Sequence, residues 1–218
     1  MKVAAISANL GGYDVPQPWP AFDLPAEVEV LAHRLTDADL TPRPLAMTSR
    51  LMCGLPKWFG TYYVPGCDVY LWIDASCTPT PQAIRWFLER LDSEIAVFKH
   101  PDRDTVAEEY AFVTERMQRP KETYLNSRYA GEWIEEQFAY IVERGGAGLP
   151  LYASTAFAYR PTPRVIAALA ECFTLKARFC LHDQFAFPFV LHQHGCAVTV
   201  IPDNYLTCPA LVFTRKRR

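Results

Sequence analysis

Asp74 stands directly after Val69-Tyr70-Leu71-Trp72-Ile73, an apolar run of β-branched and aromatic residues without a charge. Such a run reads as a strand covered on both faces, so the carboxylate emerges at the carboxyl edge of a sheet. There it can hold a divalent cation, Mn²⁺ or Mg²⁺, against a diphosphate, because hard cations take oxygen ligands and neutralise leaving-group charge. Ser76, two residues on, offers only a neutral ligand or an outer hydrogen bond. Asp74 could equally cap the turn that follows, and spacing alone does not choose.

His182-Asp183-Gln184 is the second constellation, set between the apolar stretches Phe179-Cys180-Leu181 and Phe185-Ala186-Phe187. Polar side chains buried there without partners would cost on the order of several kcal/mol. Asp183 reads first as the cap of a helix that follows. In a sugar site it would instead accept hydroxyl hydrogen bonds or deprotonate an acceptor. The segment Lys99 to Asp104 is a further loop between strand and helix, where His100 and Arg103 can meet phosphate or sugar, or form a salt-bridged loop. Glu108 and Glu109 open the next helix, where the dipole favours acids. Arg50 and Lys57 are the other cations suited to a diphosphate.

The elements that must position these residues alternate in type. Strands are expected at Val3 to Ser7, Val28 to Leu31, Val69 to Ile73, Ile95 to Phe98, Tyr152 to Tyr159 and Cys196 to Ile201. Helices are expected after Thr80-Pro81, from about Asp104, over Trp133 to Arg144, after Thr162-Pro163, and over Phe185 to His192. Asn9 to Asp14 and the Pro-rich stretch from Pro16 to Pro25 read as loops. The pattern predicts one α/β domain over residues 1–218, with a mostly parallel central sheet flanked by helices. Ligands of such sheets bind beyond the carboxyl ends of the strands. That points to the loops Asn9 to Asp14, Thr36-Asp37 and Asp74 to Ser76. The first lacks the glycine and lysine signatures of dinucleotide and P-loop sites, which disfavours both classes.

Composition is that of a globular protein: 218 residues, 50% hydrophobic and 21% charged. A net charge of -2 gives no global electrostatic case for nucleic acid or membrane. The short basic tail Arg215-Lys216-Arg217-Arg218 is the one local exception. Seven scattered cysteines suit a reducing compartment better than a disulfide scaffold. With no signal peptide or spanning run read, a cytoplasmic protein is expected.

Gly11-Gly12-Tyr13-Asp14, then Thr36-Asp37, then Trp72-Ile73-Asp74-Ala75-Ser76, then Phe98-Lys99-His100-Pro101 with Arg103 and Glu108-Glu109, form an ordered set. Gln137, Gly145, Tyr159-Arg160 and Asp183-Gln184 continue it. This order and spacing, from Ala5 to about Pro202, resembles the mucilage-type glycosyltransferase-like domain family, which is itself similar to GT-A glycosyltransferases. The resemblance implies a single GT-A-like domain binding a nucleotide sugar at the sheet's carboxyl edge. Gly12, Tyr13, Asp14 and Asp37 would approach the nucleotide, Arg50 the phosphates, and Asp74 the metal and diphosphate; Lys57 and Ser76 join the nucleotide-sugar side by their own chemistry and position rather than by the resemblance. Asp183 and Gln184 would line the sugar and acceptor side, where His100, Arg103, Glu109 and His182 are expected from their own chemistry, with Asp183 as base if the reaction inverts. The chain departs from the family at Lys57, where a His is common, at Cys53, near which a Lys is common, and at His182, where an Arg is common. These changes cluster at the substrate side, so the family's substrate does not carry over.

The leading expectation is transfer of a sugar from a nucleotide-sugar donor to an acceptor hydroxyl on a glycan, a protein, a small molecule or a hydroxylated base of modified DNA. The alternative is an inactive nucleotide- or glycan-binding module of the same fold, for which Ser76 in place of a second acid speaks.

Overall fold

The computed structural model describes residues 1–12, 14–15, 17–40 and 47–213. Tyr13 and the basic tail lie outside the described residues. In chain order the elements are β1 (Lys2–Asn9), β2 (Glu29–Thr36), α1 (Ser49–Trp58), α2 (Gly60–Tyr63), β3 (Val69–Ile73), β4 (Cys77–Pro79), α3 (Ala83–Leu88) and β5 (Ile95–Lys99). They continue with α4 (Val106–Met117), α5 (Tyr124–Tyr129), α6 (Ile134–Val142), β6 (Tyr152–Tyr159), α7 (Pro163–Arg178), α8 (Asp183–Gln193), β7 (Val198–Ile201) and β8 (Leu211–Phe213).

The central sheet has strand order β2-β1-β3-β6-β5-β7, and β4 pairs with β8 in a small second sheet. β1 runs parallel to β2 and β3, and β5 parallel to β7. Only β6 is reversed, antiparallel to both β3 and β5. The architecture is therefore mixed α/β with a mostly parallel sheet, as its alternating elements predict.

Side chains alternate across the strands, so each strand feeds two cores. Ile6, Trp72 and Phe157 join Trp58 of α1, Val113 of α4, Leu169 of α7 and Phe187 of α8 on one face. Ala5, Leu71, Ile73 and Ala156 join Ile84 and Phe87 of α3 on the other. Burial on both faces explains why β3 carries no charge. β2 sits at the sheet edge, and its polar residues His33 and Arg34 are exposed.

Several boundaries have identifiable causes. Thr105 accepts a hydrogen bond from the Glu108 N–H at 3.2 Å and starts α4. Thr162 does the same for Val165 at 3.4 Å, with Pro163 in the first turn of α7. Two capping expectations are corrected. Thr80 does not cap α3, because its hydroxyl donates to the Pro209 carbonyl and its N–H to that of Ala210, which extends the β4–β8 pairing. Asp183 does not cap α8 either: His182 is the cap, without a side-chain bond, and Asp183 is the first helical residue. Among the described residues, no helix is long and apolar enough to cross a membrane.

Candidate active site

A cavity of about 690 Å³ opens at the carboxyl edge of the sheet, over Asn9 of β1, Trp72 of β3 and Asp74 just beyond it. Because β6 is reversed, its middle residue Thr155 reaches the same edge and also lines the cavity. α1 covers one side with Arg50, Cys53, Gly54 and Lys57. These lie three, four and seven positions apart, which places them on one helix face. Gly54 allows that approach, since a Cβ there would lie 3.2 Å from the Phe173 ring and 3.3 Å from Trp58.

The loop after β1 is held shut by its own polar groups. Asn9 Nδ2 donates to the Asp14 carbonyl at 2.6 Å, and the Asp14 N–H donates to Asn9 Oδ1 at 3.1 Å. The Gly11 N–H donates to Asp37 Oδ2 at 2.8 Å, so Asp37 holds the loop without lining the cavity. Gly11 has φ +69°, and a Cβ on it would meet Ser49 Oγ at 2.8 Å. Glycine is required there twice over.

At the floor, two carboxylates and two ammonium groups meet. Lys57 Nζ donates to Asp183 Oδ2 at 2.6 Å, to Asp74 Oδ1 at 3.3 Å and to Ser154 Oγ at 3.3 Å. Trp72 Nε1 donates to the same Asp74 oxygen at 2.6 Å. Lys176 of α7 pairs with the other oxygen of Asp183. Side-chain exposure is 5% for Lys57, 6% for Lys176 and 16% for Asp183 against 35% for Asp74, so Asp74 is the member most open to the cavity. Trp58 lies 5.1 Å from Lys57 Nζ and 5.5 Å from Lys176 Nζ, placing an aromatic face beside both cations.

The charges tune one another. Burial pulls the Lys57 pKa down, but Asp183 and Asp74 overcome it and hold the ammonium above its ordinary range. Burial pushes the Asp183 carboxyl up, and Lys176 and Lys57 outweigh it, holding it well below the usual carboxylate range. Asp74 is raised, by burial first and by the charge of Asp183, with Lys57 only partly compensating.

A divalent cation fits this donor set poorly. Lys57 already places a positive charge between Asp74 and Asp183, and both Asp183 oxygens are met by ammonium groups. Among the described residues there is no group of three His, Cys, Asp or Glu side chains able to hold a metal ion. The expected ligand Asp74 is present at the cavity, but the Lys57 ammonium stands between it and the second acid, Asp183.

Of the residues singled out in the sequence, Asp14, Arg50, Lys57, Asp74, Ser76 and Asp183 line the cavity together. Gly12 is exposed beside it with φ +61°. Gln184 is half-buried in α8 and does not line it. His100, Arg103, Glu109 and His182 assemble elsewhere, into a buried cluster centred on Glu109. His182 Nε2 lies 2.7 Å from Glu109 Oε1, Tyr129 Oη lies 2.8 Å from His182 Nδ1, and Arg103 pairs with the second Glu109 oxygen. The Asp102 and Arg103 N–H groups donate to His100 Nδ1 at 3.3 Å. This cluster joins the loop after β5 to α4, α5 and the residue preceding Asp183. None of its four members lines the cavity.

Sequence reasoning passed over Lys176, Arg128, Tyr124 and Tyr205, all on the cavity wall. Lys176 had a signal. It continues the buried stripe Val165, Leu169, Cys172 of α7, and a lysine on the apolar face of a helix calls for a buried acid.

No known family profile matches the chain, and no curated protein sequence matches it. Solved structures to which it is similar include glycosyltransferases. One is a glycosyltransferase involved in glycosylating the major capsid of PBCV-1, with TM-score 0.45, 9% identity, and coverage of 92% of this chain and 81% of that one. Another is mouse xyloside xylosyltransferase 1, with TM-score 0.46, 10% identity, and coverage of 92% and 85%. A third is the bifunctional glycosyltransferase WbbM, with TM-score 0.46 and 11% identity, where 92% of this chain matches 38% of that chain.

Proposed function

We propose that the chain is a glycosyltransferase that moves a sugar from a nucleotide-sugar donor to an acceptor hydroxyl. The observation that carries this reading is the wall of the cavity at the sheet's carboxyl edge. Arg50, Lys57, Arg128 and Lys176 line it, with Asp14, Asp74 and Asp183 as its acids. Arginine forks and ammonium groups at the carboxyl ends of strands suit a diphosphate, and the cavity volume lies within the range of ligand sites. The loop from Asn9 to Asp14, held in place by Asp37, would face the nucleotide, while Asp74 and Ser76 would stand by the transferred sugar.

In the reaction the acceptor oxygen bonds to the anomeric carbon, and the bond from that carbon to the diphosphate oxygen breaks with its electron pair leaving on the diphosphate. Asp183, held by Lys57 and Lys176, is a poor proton acceptor. We assign it to fixing the two ammonium groups rather than to taking the acceptor proton. A front-face route, in which the departing diphosphate oxygen takes that proton, requires no dedicated base and fits such a site. It retains the configuration of the sugar.

The test is thermal stability against a panel of nucleoside diphosphates and nucleotide sugars, followed by donor turnover. A ligand at about 100 times its dissociation constant adds roughly 2.7 kcal/mol of stability. Stabilisation by one nucleotide sugar together with its slow hydrolysis or transfer supports the reading. Stabilisation without turnover would point to the binding module, and no stabilisation by any nucleotide would sink the transferase reading.

A further inference from the structure

We infer that Lys57 is the resident cation of this site and takes the place of a divalent metal, so that the nucleoside diphosphate is bound without one. The inference rests on the transferase reading and concerns how the same cavity manages the donor's charge.

The geometry is that of a cation cage already filled. Lys57 Nζ sits between Asp74 Oδ1 at 3.3 Å and Asp183 Oδ2 at 2.6 Å, with Ser154 Oγ as a third acceptor at 3.3 Å. A lysine ammonium has three N–H donors, and three acceptors take them all. Ser154 Oγ also reaches Asp183 Oδ2 at 3.1 Å, so the acceptors are themselves bound to one another. The indole N–H of Trp72 occupies the near oxygen of Asp74 at 2.6 Å, which leaves that oxygen little capacity for a metal.

Charge counting leads to the same place. Asp74 and Asp183 balance Lys57 and Lys176, leaving the floor neutral. A dication bound to Asp74 would add two charges within reach of the Lys57 ammonium, in a site where charge is weakly screened. A metal-dependent site instead needs uncompensated acids to hold its ion. The neutral floor keeps Lys57 fixed, and the phosphates are met by the guanidinium groups of Arg50 and Arg128 on the cavity wall. Loss of the diphosphate as leaving group is then stabilised by fixed cations of the chain, with no metal to load.

The experiment is calorimetric titration of the full chain with uridine, guanosine, cytidine and adenosine diphosphates, in EDTA and in Mn²⁺. Affinity for the preferred diphosphate is expected to agree in the two buffers within about twofold. Lys57→Met, which keeps the stem and removes the charge, should weaken that diphosphate about tenfold or more. Lys57→Ser empties the cage between two acids, and Mn²⁺ alone should now raise its melting temperature while leaving the native chain unmoved. Diphosphate binding by the native chain in Mn²⁺ but not in EDTA would overturn the inference while leaving the transferase reading intact. That comparison needs no variant, so a Lys57 substitution that fails to fold does not protect the idea. Absence of diphosphate binding in both buffers would remove the transferase reading itself.

Discussion

His182 Nε2 lies 2.7 Å from Glu109 Oε1, and His182 is the residue that immediately precedes Asp183 in the chain. Glu109 is 2% exposed and also pairs with Arg103, so one carboxylate of α4 fixes both the loop after β5 and the start of α8. Glu109→Gln would leave Arg103 without its anion inside the protein. Removing one partner of a buried pair costs about 3 to 5 kcal/mol. Urea denaturation should show a loss of at least about 3 kcal/mol, equivalent to a melting temperature roughly 10 °C lower for a chain of this size. A loss under about 1 kcal/mol would mean that the cluster does not carry the start of α8.

The same residue sets an acid limit. Burial alone would raise the Glu109 carboxyl, but hydrogen bonding and charge from His182 and Arg103 lower it from 4.5 to about 2. A folded-state pKa below the unfolded value means that protonation favours unfolding. The stabilisation is complete above about pH 4.5 and is lost as pH falls toward 2, at most about 3 kcal/mol for this group. Asp183 works in the same direction, because Lys176 and Lys57 hold it low against burial. Unfolding free energy measured between pH 6 and pH 3 should therefore fall steeply below about pH 4.5. In Glu109→Gln the slope should be shallower by the share of one carboxylate, and an unchanged slope would remove Glu109 from the account.

Gly11 and Gly12 both have positive φ, +69° and +61°, but only Gly11 is crowded, by Ser49 Oγ at 2.8 Å from a built Cβ. An alanine at Gly12 pays the left-handed conformation alone, about 1 to 2 kcal/mol. At Gly11 it must also push the loop off α1 and strain the bond to Asp37. Gly11→Ala should be the more destabilising of the two and should weaken nucleotide binding severalfold. Calorimetry on both variants checks this, and equal affinities would take the loop out of the proposed nucleotide site.

The parts of this protein legible in its sequence are those whose burial pattern repeats along the chain. β3 is read from an uncharged run because it is covered on both faces, and α7 from Thr162-Pro163 because its cap is local. The direction of β6 is not legible, since an apolar run looks the same in either orientation. α1 is passed over because Gly54 and Pro56 lie inside it, and both count against a helix in isolation. Gly54 is there to let α1 pack against Phe173, a contact that exists only once α7 has folded beside it. The site follows the same rule. Asp74 and Asp183 are visible as polar breaks after apolar runs, whereas the lysines that neutralise them come from the faces of α1 and α7. His100, Arg103, Glu109 and His182 share the motif order of the cavity residues but fold into a supporting cluster of their own.

Lys176 and Asp183 test whether the floor of the cavity is one unit. Lys176 is 6% exposed and Asp183 bridges it to Lys57. Asp183→Asn leaves Lys176 buried without its anion and should cost about 3 to 5 kcal/mol. Lys176→Met fills similar volume and leaves Asp183 paired with Lys57, so it should cost less. In the double variant the two losses should fall short of additivity by about 1 kcal/mol or more, as expected for residues in direct contact. Ligand binding by Asp183→Asn then separates two roles. A general base would lose kcat with diphosphate affinity preserved, because the base acts only on the acceptor proton. An anchor for Lys57 and Lys176 would lose diphosphate affinity itself, and it is this loss that the arrangement around Asp183 predicts.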